Sequence, residues 1–246
     1  TLNHNSTYQN LFTQAFGQSD ITLANVYTAI TAFESSLISL NSRYDLYAHG
    51  YHAALTEEEK AGLNVFRSFV ARCAECHTPP LFTNQQLAVI GVADAPNMMI
   101  DPGAQAVTGD ESQRGAFRVP SLRNVVRTAP YMHRGQKATL ADAARFYTGG
   151  RGHEVPEGDA LMIHWHIWEP KLTEREIELL TGFMGTLTDE AFMPAIPHQV
   201  PSGLPVTRAT KAPRAPADTL VHNIATPALQ QQQSSQANRP QGGNTP

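Results

Sequence analysis

The chain has 246 residues, 41% hydrophobic and 16% charged, enough apolar material for a real core in one large domain or two small ones. Its net charge is −4 and its pI about 6.2, so nothing in the charge balance points to nucleic acid. No run is long and apolar enough to span a bilayer, and the two cysteines of the chain stand close together at Cys73 and Cys76.

Thr1-Leu2-Asn3-His4-Asn5-Ser6 carries neither a basic nor an apolar leader region, so the chain is expected to be a mature form or a piece of a longer precursor. The first helix is expected from about Thr22, where Val26, Ala29, Ile30, Phe33 and Leu37 fall at helical spacing and Glu34 sits one step off the stripe. Residues 41–45 read as the turn that follows. A second helix opens at Thr56, which with Glu59 has the form of a capping box. Leu63, Phe66 and Val70 line one face of it and lead directly into Cys73.

Cys73-Ala74-Glu75-Cys76-His77 is Cys-x-x-Cys-His, the attachment signature of a c-type haem. Two thiols at that spacing can each add to a vinyl group of one porphyrin, and the adjacent His77 then supplies the proximal nitrogen to the iron. A zinc site would need four ligands, and the chain has no second cysteine pair to complete it. A thioredoxin-like pair belongs beside a βαβ pattern, which is not visible here. With both thiols on haem, no structural disulfide remains.

Thr78-Pro79-Pro80 ends any helix after the motif. Residues 87–92 could form a short strand, and residues 93–115, rich in Pro, Gly, Asp and Ser, read as a long surface loop. A third helix is expected from Thr139 as N-cap, with Leu140, Ala143, Ala144 and Tyr147 on one face and Gly149-Gly150 as its stop. A fourth opens at Thr173 with Glu176 in capping-box register and carries Ile177, Leu180, Met184 and Leu187 as its stripe. From about Pro194 the chain loses its aromatics and gains Pro and a Gln230–233 run, which reads as a tail disordered after roughly residue 210. The expected fold class is all-α: a cytochrome c-like haem domain with long loops and a largely irregular C-terminal tail. The expected divisions are a helical segment over 1–50, the haem domain over 51–193 and the tail over 194–246.

The His164-Trp165-His166-Ile167-Trp168 stretch holds both tryptophans of the chain. An exposed Trp there could relay electrons or holes to a protein partner. The preferred reading is a loop that packs its aromatics over the core with the histidines outside.

The order and spacing of several motifs resemble the C-terminal half of bacterial di-haem cytochrome c peroxidases, including the MauG-type protein-oxidising enzymes. These are Ala29-Ile30-Thr31-Ala32-Phe33-Glu34, Cys73 to His77, Arg118 to Asn124, Thr128 to Gly135, Thr139-Leu140 and Phe146-Tyr147-Thr148-Gly149-Gly150, together covering roughly residues 8 to 193. The resemblance implies a periplasmic, exported oxidoreductase with peroxidase activity. This chain would be its electron-transfer haem domain, carrying one covalent haem c, with a second haem on an upstream domain. The alternative functions are MauG-type oxidation of residues on a partner protein and plain electron transfer by a non-enzymatic cytochrome c. A long segment ahead of the haem motif speaks against the last. The implied partners are a small electron-donor cytochrome or cupredoxin, hydrogen peroxide and, for a MauG-type enzyme, a protein substrate.

The same resemblance assigns residues. Cys73 and Cys76 become the thioether anchors and His77 the proximal ligand. Tyr147 takes the position of the far axial ligand, Met in the peroxidase branch and Tyr in the MauG-type branch. Its competing reading is a buried, hydrogen-bonded core Tyr, and Met98, Met99 and Met132 are rival ligands. Glu34 resembles the acid–base residue beside the peroxide-binding haem, where a carboxylate moves a proton between the peroxide oxygens. Thr128 and Pro130 match positions whose backbone carbonyls bind calcium. Arg123 is a candidate partner for a haem propionate. Arg134 replaces the usual Asp before Gly135 in the motif that holds His133, which reverses the local charge.

Overall fold

A computed structural model of the chain describes residues 2–94, 100–167, 170–192, 194 and 196–205. The described residues form two units, one of residues up to Asn41 together with those from Asp189 onward, the other spanning Ser42–Thr188.

In the first unit, α1 (Ser6–Phe16) starts at Asn5, whose side chain accepts from the N–H groups of Thr7 and Tyr8, and stops at Gly17 with φ 76°. α2 (Leu23–Ser36) starts, as its pattern predicts, on Thr22, whose hydroxyl accepts from the Asn25 N–H. The two helix starts are tied by Asn3, whose side-chain oxygen accepts from the Ile21 N–H at 2.8 Å. Of the expected stripe, Ala29, Ile30 and Phe33 are exposed, Val26 is half-buried and Leu37 falls just past the helix end; Leu23 and Tyr27 of α2 are exposed too.

The second unit opens with α3 (Arg43–Ala48). Its Ser42–Asp45 capping box makes a helix of a stretch that reads as a turn. α4 (Glu57–Phe66) has the expected Thr56–Glu59 capping box but ends at Phe66. It does not run into the cysteine motif: Val70 is 51% exposed, and Arg72, in the left-handed region at φ 54°, starts a separate one-turn helix, α5 (Cys73–Cys76). β1 (Leu87–Val89) pairs antiparallel with β2 (Ala116–Arg118), Leu87 opposite Arg118. The loop between them carries the single turn α6 (Gln105–Thr108). α7 (Leu140–Phe146) and α8 (Glu174–Gly185) both begin on the capping boxes expected of Thr139/Asp142 and Thr173/Glu176. The unit is therefore helix-rich with one two-stranded sheet, and the strand lies within the stretch expected to form one.

The core forms where α4, α7 and α8 meet: Phe66, Phe82, Val125, Ala144, Ile177, Leu180, Phe183, Met184 and Leu187 are buried together. Phe66, Phe82 and Phe183 pack with centroids 5.2–6.2 Å apart at tilted or edge-on angles, which aromatic quadrupoles favour. Gly62 lets α4 approach α8, because a Cβ there would lie 2.0 Å from the Leu179 carbonyl oxygen. Met98, Met99, Trp168 and the tail from residue 206, including the Gln run, lie outside the described residues.

Candidate haem site

The cysteine motif opens onto a cavity of about 540 Å³ in the second unit, lined mostly by apolar side chains from α5, the sheet, α7 and α8. Cys73, Cys76 and His77 form part of one wall, with Tyr147 at the end of α7 also lining it. A cavity of this size with few polar groups suits a large flat ligand.

His77 is set up as a metal ligand. Its Nδ1 lies 3.1 Å from the carbonyl oxygens of both Phe82 and Pro120, which can only accept, so Nδ1 carries the proton and Nε2 is left bare. Burial lowers its pKa, against the pull of those two carbonyls, so the ring stays neutral. The two thiols are driven the other way. Burial pushes Cys73 up to about 12 and raises Cys76, helped there by the charge of Glu75. Both therefore remain thiols at neutral pH. Uncharged thiols suit groups that end as uncharged thioethers.

Tyr147 lines the cavity, and its hydroxyl makes no hydrogen bond to any described residue. Burial raises its pKa, with further upward pushes from Cys73 and Cys76. Met132 also borders the cavity, in the left-handed region at φ 70°.

The other expected site residues are placed differently. Arg123 is spent on protein: it donates to Asp45 at 2.6 and 2.7 Å and to the Pro80 carbonyl, and it does not line the cavity. The expected propionate contact thus gives way to a structural role, because Asp45 and Pro80 already occupy the guanidinium. Arg72 and Arg118 are cations that do border the cavity. Thr128 and Pro130 border it too. Glu34 is exposed on α2 in the first unit. Arg134, in place of the usual Asp, pairs with Asp94 at 3.1 Å and Asp101 at 2.8 Å. His133 stacks on Phe117, with centroids 4.2 Å apart.

The His164–Trp165–His166 stretch inverts the expected arrangement. Trp165 points outward, 67% exposed, while His166 turns inward and lines the cavity. The sequence leads to the expectation of His166 outside because a His beside two tryptophans gives no periodic signal of which residue is buried.

A Cys-x-x-Cys-His turn on the wall of a mostly apolar cavity, with His77 Nδ1 held by two carbonyls, defines a c-type haem-binding domain. Residues 1–53 match the family model described as di-haem cytochrome c peroxidase. The cytochrome c551 peroxidase of Nitrosomonas europaea is 36% identical over 138 residues, 55% of this chain and 40% of that protein. The methylamine utilization protein MauG of Methylophilus methylotrophus is 32% identical over 141 residues, 57% of this chain and 41% of that protein. A solved MauG-like protein associated with microbial copper homeostasis superposes with a TM-score of 0.59 at 33% identity, covering 74% of this chain and 62% of that one. The family model and these relatives support a di-haem cytochrome c peroxidase or MauG-type family for the chain. It spans about half the length, or less, of the curated relatives it matches.

Proposed function

We propose that this chain is the electron-transfer haem domain of a di-haem peroxidase that reduces hydrogen peroxide with electrons from a small periplasmic cytochrome or cupredoxin. The observation that carries it is the cavity wall on which Cys73, Cys76 and a neutral, Nδ1-protonated His77 stand together. Haem, when bound, supplies a one-electron redox centre. Cys73 and Cys76 would hold its vinyl edge and His77 Nε2 its iron, while Phe117, Leu140, Leu161 and Leu180 keep water from its faces. Tyr147, which lines the same cavity, would offer a phenolate oxygen to the iron. The buried phenol gives up its proton only against a strong cation, and the negative oxygen then favours higher oxidation states of the metal.

The second haem of this reading lies on a domain outside this chain, and the exposed apolar stripe of α2 would pack against it, with Glu34 as the acid–base residue at the peroxide. The family match over residues 1–53 and the greater length of the relatives support this. Calcium held by the carbonyls of Thr128 and Pro130 is part of the same proposal, as is a periplasmic location; among the described residues no helix is long and apolar enough to cross a membrane.

The second reading, MauG-type oxidation of a partner protein, is favoured by the Tyr147 hydroxyl in the cavity, unpartnered among the described residues, and by the MauG relatives. One experiment tests the shared core. The chain is expressed with cytochrome c maturation factors, denatured in acidified acetone and assayed for haem that stays with protein. One haem per chain is expected, lost in a Cys73→Ser/Cys76→Ser variant; haem that extracts freely from the wild type overturns the reading. Peroxide turnover by the longer protein, and its loss in Glu34→Gln, tests the peroxidase role; oxidation of a partner protein without such turnover selects the second reading.

A further inference from the structure

Trp165, His166 and Cys76 form a continuous path from the surface to the edge of the cavity. Trp165 is exposed over two-thirds of its area, and its ring meets that of His166 with centroids 3.6 Å apart. His166 lines the cavity, and its Nδ1 is buried with no hydrogen-bond partner among the described residues. Coordinating atoms of His164, His166 and Cys76 all lie within 4.8 Å of one another. The stretch is fixed rather than free: the His164 N–H donates to the Val89 carbonyl at 2.8 Å, which ties it to β1, and the His166 N–H donates to His164 Nδ1 at 3.3 Å.

A metal ion is one use for two histidines and a sulfur. It fails here on the chemistry of the donors. Cys76 is committed to a thioether, and two imidazoles leave too few ligands for a closed site. The same distances have a simpler consequence. A haem joined to Cys76 would have its edge at that sulfur, within reach of His164 and His166. Trp165 then carries the same aromatic contact out to solvent. Electron tunnelling falls off steeply with gaps between groups, and rings in contact close them. A large exposed Trp is also the residue type that anchors protein interfaces.

We infer that the Trp165–His166 pair is the port through which a one-electron redox protein docks on this domain and exchanges electrons with the haem. The inference rests on the haem reading given above. In the transfer the reduced carrier loses one electron and the haem iron gains it. Neither Trp165 nor His166 is left oxidised, and no bond changes. The occupant is a one-electron carrier because the surface leads, ring by ring, to a redox edge and to no catalytic group.

The test uses the haem-loaded chain. Reduced azurin and reduced mitochondrial cytochrome c serve as donors in stopped-flow, with dithionite as a reductant that needs no docking surface. Trp165→Leu is expected to slow reduction by the more efficient carrier by about tenfold or more, the scale of losing an interface anchor. Trp165→Phe, which keeps a ring, is expected to retain most of the rate. Dithionite reduction, the reduction potential and the absorption spectrum should not change. An independent readout is the indole N–H spectrum: the chain has two tryptophans, so Trp165→Phe assigns the signal, and titration with oxidised carrier should shift it. Equal carrier rates in wild type and Trp165→Leu, a Trp165 signal that does not move, or a wild-type haem that neither carrier reduces would overturn the proposal. A protein without a Soret band fails earlier, on haem binding itself, so the two failures are distinct.

Discussion

Arg123 grips Asp45 with both arms of its guanidinium, Nη1 to Oδ2 at 2.6 Å and Nη2 to Oδ1 at 2.7 Å, across 78 residues of sequence. The side chains are only 6% and 12% exposed. Arg123 also donates to the Pro80 carbonyl through Nε at 2.9 Å and Nη2 at 2.6 Å. Pro80 lies in the strap between His77 and Phe82, whose carbonyl sets the His77 tautomer, so the pair steadies the haem ligand from behind. Breaking a buried bidentate pair strands a charge, and Asp45→Ala should cost about 3 kcal/mol or more. Burial alone would raise the Asp45 pKa, but hydrogen bonds from Arg123 and Ser42 bring it net below its ordinary 3.8. A depressed folded-state pKa means the contribution is complete above the ordinary value and is lost as pH falls through the lower one. Wild type should therefore lose stability below about pH 4, and Asp45→Asn should show a shallower slope there. Urea melts from pH 7 to 3 measure both.

What the sequence shows of this molecule divides along physical lines. Helix starts are local chemistry: Thr56/Glu59, Thr139/Asp142 and Thr173/Glu176 announce α4, α7 and α8, because capping boxes are built within four residues. The haem wall is legible for the same reason, as five consecutive residues carry it. The Ser42–Asp45 box is just as local, but the six residues of α3 are too few to show a period. The end of α4 at Phe66 is not written nearby, since Val70 keeps the helical spacing that the chain abandons. The Arg123–Asp45 pair and the inward turn of His166 are tertiary choices, set by what lies far away in the chain, and no spacing rule reaches them.

Gly62 tests how tightly the scaffold behind the site is closed. A Cβ there would meet the Leu179 carbonyl oxygen at 2.0 Å and carbon at 2.7 Å, backbone atoms of α8 that cannot swing aside. Alanine is the better helix former by about 1 kcal/mol, so an open site would be stabilised by Gly62→Ala. Overpacking at a helix contact costs about 1–3 kcal/mol, and with backbone as the obstacle the steric term should win. Thermal melts should show a lower Tm for Gly62→Ala, and a rise would mean α4 and α8 stand further apart than described.

Arg134 holds together two carboxylates that would otherwise repel. Its Nε reaches Asp94 and its Nη2 Asp101, while Asp94 also accepts from the Asp101 N–H at 2.8 Å. The Gly103 N–H and then Arg134 hold the Asp101 carboxyl below the usual range. Asp101 and His133 both border the cavity, so this cluster trims its rim. Arg134→Asp would place three carboxylates together. Amide exchange at Asp101 and Gly103 should then accelerate on the order of tenfold, with a smaller effect for Arg134→Ala. Unchanged protection in Arg134→Asp would show that the ion pairs do not hold the rim.

Tyr147 carries the sharpest test of the axial ligand. It lines the cavity with a phenol that burial keeps protonated and that has no hydrogen bond to any described residue. A group left that way either wastes its polar atom or waits for a metal. If the phenolate oxygen meets the iron, exchanging it for a thioether removes a negative donor. Tyr147→Met should therefore raise the reduction potential by more than about 0.1 V, a fraction of the roughly 0.8 V that axial ligands span. The ferric spectrum should gain the long-wavelength band of thioether ligation. Tyr147→Phe should leave an open position that takes up imidazole or cyanide faster than wild type. Potentiometric titration of the three proteins decides it. A potential unchanged by Tyr147→Met would pass the ligand role to Met132, which borders the same cavity, and Met132→Leu would then shift the potential instead.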